Sequence, residues 1–88
     1  MLRRRVIVRG RVQGVFFRAA CADEARARGV TGWVSNQPDG SVEAVFEGDD
    51  AAVTALVDWS RKGPPYADVT DVEVIPEPAL GESTFTVR

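Results

Sequence analysis

From Arg4 to Val12 apolar and polar positions alternate: Val6, Val8 and Val12 fall on one face, Arg5, Ile7, Arg9 and Arg11 on the other. A period of two over that length predicts a half-buried strand. The period then changes. Ala19 to Arg28 is rich in the best helix former and stops at Gly29, which predicts a helix with that glycine just past its end. Steps of four place Phe17, Cys21 and Ala25 on one small inner face, able to pack closely on a sheet. Alternation returns in Thr31 to Asn36 and Ser41 to Glu47, with Gln37-Pro38-Asp39-Gly40 between them. Pro, Asp and Gly in that order suit a type I turn with Gly40 at positive φ, so these two strands form a hairpin. Val42, Ala44 and Phe46 are expected to face inward, and Glu43 and Glu47 outward. Asp49 or Asp50 caps a second helix running to about Lys62, with Val53, Leu56, Val57 and Ser60 as its inner stripe and Trp59 at the edge. Gly63-Pro64-Pro65 ends it. Val69 to Ile75 and a short Thr84 to Arg88 supply the remaining strands.

Strand, helix, strand, strand, helix, strand, with a short final strand, describes an α+β fold. The specific expectation is a ferredoxin-like split βαβ sandwich: an antiparallel sheet with two helices on one face and the other face left to solvent. Residues 1–88 are expected to form a single domain, a size at which roughly two-thirds of the unfolded chain's surface is buried. That fold carries many unrelated functions, so function has to be read from the site.

Composition narrows the chemistry. Apolar residues at 44% and charged residues at 27% are ordinary for a soluble domain. No apolar run approaches the ~18 residues of a membrane span, and Arg9 and Arg11 interrupt any leader-like segment. One cysteine rules out an internal disulfide and suits a reducing compartment, so the expected location is cytoplasmic. Short tails and a compact pattern point to a monomer. The absence of histidine removes His-based acid–base catalysis, Ser-His and Cys-His nucleophiles, and the commonest metal ligand. Carboxylates could still hold Mg²⁺ or Ca²⁺, but they are scattered, with no Asp-rich loop.

The net charge of −2 conceals an asymmetry: residues 1–18 carry +6, from Arg3, Arg4, Arg5, Arg9, Arg11 and Arg18, and the rest carry −8. Two readings stand side by side: a basic strand face beside acidic elements, or attraction of an anionic ligand to the N-terminal segment. The acidic remainder would repel a polyanion such as RNA, so a small anion is the better fit.

Val12-Gln13-Gly14-Val15-Phe16-Phe17-Arg18 sits where the first strand gives way to the first helix. The first N–H groups of a helix lack helical partners, and with the positive end of the dipole they form an anion site. Gly14 permits a sharp turn, and Arg18 can add a bidentate fork onto a phosphate or carboxylate. A plain corner with a solvated arginine is the competing reading. Asn36, ending a strand before the turn, is either a routine turn residue or a group able to hold a water by donating and accepting at once. Cys21 lies three residues after Arg18, inside the predicted helix, so it lacks the Cys-x5-Arg spacing of a cysteine phosphatase and reads as a small buried residue. Phe16 and Phe17 sit at a corner rather than alternating along a strand, which suits packing around the loop better than base stacking. Trp33 and Trp59 read as core or edge packing.

Val8 to Arg18 resembles the first signature of the acylphosphatase family, and Gly32-Trp33-Val34-Ser35-Asn36 with Asp39-Gly40-Ser41-Val42-Glu43 and Gly48 resembles the second. Gly63-Pro64-Pro65 with Ala67 and Val69, and the closing Phe85-Thr86-Val87-Arg88, are similar to that family as well, so the likeness covers nearly the whole chain. It implies hydrolysis of a carboxyl–phosphate anhydride to carboxylate and inorganic phosphate. The loop Gln13, Gly14, Val15, Phe16, Phe17 and Arg18 would cradle the phosphoryl group, Arg18 would bind it directly, and Asn36 would orient the attacking water. The implied partner is a small-molecule acyl phosphate, with no cofactor, metal, nucleic acid or membrane. Ser35 stands where the family usually carries a longer, often basic side chain, and Cys21 where threonine or serine is common; both bear on substrate preference and rate. The alternative is a non-catalytic module of the same fold that binds phosphate or a carboxylate without turnover.

Overall fold

The computed structural model describes residues 1–88. Its elements are β1 (Leu2–Arg11), α1 (Phe17–Ala27), β2 (Thr31–Asn36), β3 (Val42–Gly48), α2 (Asp50–Ser60), β4 (Asp68–Glu77) and β5 (Phe85–Val87). They form one sheet in the order β4-β1-β3-β2-β5. β1 pairs antiparallel with both β3 and β4, and β2 antiparallel with β3, as a split βαβ topology requires. The β2–β5 pair is parallel, so the sheet is mixed and not antiparallel throughout. The reason is directional: β4 runs opposite to β2, and a single reversal after Glu77 therefore brings β5 alongside β2 in the same sense.

The two helices lie on one face over a continuous apolar core. Val6, Val8, Val34, Val42, Ala44 and Phe46 rise from the sheet to meet Phe17, Cys21 and Ala25 of α1 and Val53, Leu56 and Val57 of α2. α1 begins two residues earlier than its alanine-rich stretch because Phe17 is drawn into this core. Its ring is buried and packs tilted on Trp59 at 5.3 Å between centroids. Burial, with a smaller contribution from the nearby Glu24 charge, pushes the Cys21 thiol up to about 12. A protonated, enclosed thiol is a poor nucleophile. Native protein treated with iodoacetamide at pH 8 is therefore expected to remain unmodified by mass spectrometry, while urea-unfolded protein alkylates at Cys21. Equal labelling of both would contradict this packing.

The opposite face is open to solvent around Arg9 but covered at the end that holds Arg3 and Glu47, which corrects the expectation for Glu47. Arg3 and Glu47 point there by strand alternation, yet they are only 4% and 1% exposed. The crossing from β4 to β5 covers them, and the N–H groups of Leu80, Gly81 and Glu82 all donate to the Glu47 carboxylate at 2.7–2.8 Å. Arg3 donates to Glu77 at 3.0 Å and Glu47 at 3.5 Å, while Arg5 bridges Glu77 and Glu43. Arg9 pairs with Asp71 and Glu73. Three of the N-terminal arginines thus serve cross-strand pairing. Arg18 forms no ion pair with any carboxylate side chain and stands apart from this ladder.

Candidate active site

After β1 the chain passes through buried Val12 and turns over Gln13 to Phe16 into α1. Gly14 has φ +72° and Phe16 φ +66°, with Val15 between them on the negative side. Alternating signs of φ along consecutive residues turn successive N–H groups towards one concavity, the arrangement that binds anions. A Cβ at Gly14 would meet no atom within 4 Å, so it is φ and not lack of space that calls for glycine. Phe16 has no such freedom, and a bulky residue held there costs about 1–3 kcal/mol.

None of the backbone N–H groups from Gln13 to Ala19 donates to a protein acceptor; the first bond of the helix is Ala20 N–H to the Phe16 carbonyl at 3.1 Å. Phe16 occupies the N-cap without a side-chain cap, and the first turn of α1 holds no acidic residue. The loop thus presents a row of unspent donors and an uncompensated positive dipole end. They open onto a cavity of about 400 Å³, whose walls include Gly14, Phe16 and Phe17 together with Arg18 and Ala19 of the first helical turn. Asn36 at the end of β2 and Val87 of β5 close the far side. Arg18 is the single charged residue in this lining.

Two tethers hold the walls in register. The Gln13 side-chain amide donates to the carbonyls of Gln37 and Ser41 at 2.8 and 2.9 Å, fastening the loop to the β2–β3 hairpin. The turn itself is braced by Asp39, whose carboxylate accepts from the Ser41 hydroxyl and N–H and is held below the usual carboxylate range, chiefly by that hydroxyl. Across the cavity, the Arg18 guanidinium donates to the Arg88 backbone oxygen at 2.8 Å, and Arg88 N–H donates to the Val34 carbonyl at 2.8 Å. The Arg88 side chain stacks over Trp33 at 4.4 Å on the opposite face of the sheet. Asn36 accepts from the Ser35 hydroxyl through its backbone carbonyl, and no protein group takes its side-chain amide.

The structure therefore brings Gly14, Phe16, Phe17, Arg18 and Asn36 to one cavity, although Arg18 and Asn36 come from different elements. Gln13 and Val15 place their side chains elsewhere, the first on the hairpin and the second in the core, and face the loop only through their backbone. Phe16 departs from the packing role expected of it: its side chain is 72% exposed. The unspent row extends one residue beyond the loop expected from the sequence, to the Ala19 N–H. Val87 carried no local signal, since it reaches the cavity only through the parallel β2–β5 pairing.

The chain as a whole is similar to known proteins. A family model described as Acylphosphatase matches residues 4–87. The chain is 60% identical over 85 residues to an acylphosphatase of Rubrobacter xylanophilus, covering 96% of this chain and 77% of the relative. It is 54% identical to one of Gloeobacter violaceus, covering 98% and 92%. The crystal structure of an acylphosphatase from Bacillus subtilis superimposes with a TM-score of 0.95 at 42% identity, over 100% of this chain and 99% of that one.

Proposed function

The chain belongs to the acylphosphatase family, and from that premise we propose that the cavity at the β1–α1 corner hydrolyses acyl phosphates to a carboxylate and inorganic phosphate. The observation that carries the reading is the row of unpartnered N–H groups from Gln13 to Ala19, beside the one charged side chain of the cavity. Phosphoryl oxygens take those donors and the Arg18 fork, which matches phosphate geometry and stabilises its charge as the transition state develops. The Asn36 amide, free of protein partners, holds a water in line with the phosphorus. The water oxygen forms the new P–O bond, the bond to the acyl oxygen breaks, and the acyl group departs as a carboxylate. The proton of the attacking water passes to a phosphate oxygen of the substrate itself. This last step suits a lining that offers only an arginine and an amide as polar side chains, and a leaving group that needs no protonation.

The proposal extends to a single-domain monomer over residues 1–88, cytoplasmic, with no nucleic-acid partner. One contiguous core supports the single domain, and the acidic balance of residues 19–88 disfavours a polyanionic partner. No helix is long and apolar enough to cross a membrane.

Purified protein is expected to release benzoate from benzoyl phosphate without added metal, at a rate unchanged by EDTA and by pH between 6 and 8. No release under those conditions would leave only the module that binds without turnover. A neutral-pH titration of kcat would require an enzymic base and overturn the substrate-assisted proton transfer.

A further inference from the structure

Phe16 combines two features that folding alone does not favour: a left-handed backbone in a bulky residue and an aromatic side chain 72% exposed. Its ring lines the cavity and meets that of Tyr66, equally exposed at 72%, tilted at 58° with 6.5 Å between centroids. Val87, 45% exposed, also lines the cavity. An exposed apolar rim therefore adjoins a floor of backbone donors in a single site.

We propose that Phe16 and Val87 form the seat of the acyl group, with Tyr66 bracing the Phe16 ring, and that the substrates preferred by this protein carry an apolar acyl group, aromatic or branched. The inference rests on the hydrolysis proposed above. With the phosphoryl group on the loop amides and Arg18, the charged side chain of the cavity is already engaged. The acyl group then lies against the apolar side chains of Phe16 and Val87. A methyl group would leave the Phe16 ring wet, whereas a phenyl or branched chain covers it and gains both burial and ring contact. Phe16 is thus a specificity-determining residue, held in place by its backbone and braced by Tyr66.

The test compares kcat/KM for benzoyl phosphate and acetyl phosphate, taken as a ratio for each protein. Both substrates carry the same phosphoryl group, so damage to the loop lowers both values and cancels in the ratio. Phe16→Gly, which relaxes the backbone while deleting the ring, is expected to lower the benzoyl-to-acetyl ratio about tenfold. Tyr66→Ala, outside the loop, is expected to lower it about threefold. Phe16→Tyr, which restores the ring, is expected to keep the wild-type ratio. An unchanged ratio in Phe16→Gly would overturn the acyl seat while leaving hydrolysis standing. If wild-type protein turned over neither compound, the hydrolysis itself would fall, and the seat with it.

Discussion

Arg18→Ala is expected to lower kcat/KM for benzoyl phosphate by about a thousandfold or more, and to abolish competitive inhibition by inorganic phosphate. The cavity has no second charged side chain to replace the lost fork. Asn36→Ala offers the contrast. Its amide is proposed to touch the water and not the phosphoryl group, so kcat should fall about a hundredfold while inhibition by phosphate persists. Steady-state kinetics with phosphate as inhibitor separates the two. Equal loss of phosphate inhibition in both variants would contradict the division of labour between them.

Glu47→Ala is expected to destabilise the fold by about 3–5 kcal/mol, measured as a lower midpoint in urea unfolding at pH 7. Removing the carboxylate leaves Arg3 buried and three loop N–H groups without their acceptor. For a small domain with about 5–15 kcal/mol of stability that is a large share. Burial pulls the Glu47 pKa upward, but the N–H groups of Leu80, Glu82 and Gly81 and the Arg3 guanidinium outweigh it, and the net shift is downward. Glu77 is likewise lowered, first by Arg5 and then by Arg3. A carboxylate with a depressed folded pKa contributes stability above its unfolded value and loses it as pH falls through the folded one. Wild-type stability is therefore expected to decline as pH drops below the ordinary glutamate range, about 4.3. In Glu47→Ala that decline should be shallower, since one of the linked protons is gone. A parallel decline in both proteins would mean that Glu47 does not carry the linkage.

The same residue marks a boundary of sequence reading. Alternation assigned Glu47 to the outer face correctly, but an outward side chain is exposed only if nothing crosses over it. The segment covering it lies more than thirty residues away in the chain. The basic N-terminus was ambiguous for a similar reason. Arg3 and Arg5 could be told apart from Arg18 only once the register placed acids directly opposite Arg3 and diagonally across from Arg5, and the fold put none beside Arg18.

Periodicity by itself determined the elements, because burial on one face imposes a repeat of two on strands and of nearly four on helices, and glycine and proline mark where each must stop. The missing histidine and the glycine–arginine corner were equally plain, since residue chemistry does not depend on the fold. Tertiary structure decided the rest. It brought Asn36 and Val87 to the corner, spent the Gln13 side chain on the hairpin, and held Phe16 left-handed with its ring in the open. Each of these depends on contacts between residues far apart in the chain, and local patterns carry no information about which distant backbone will supply an acceptor or a wall.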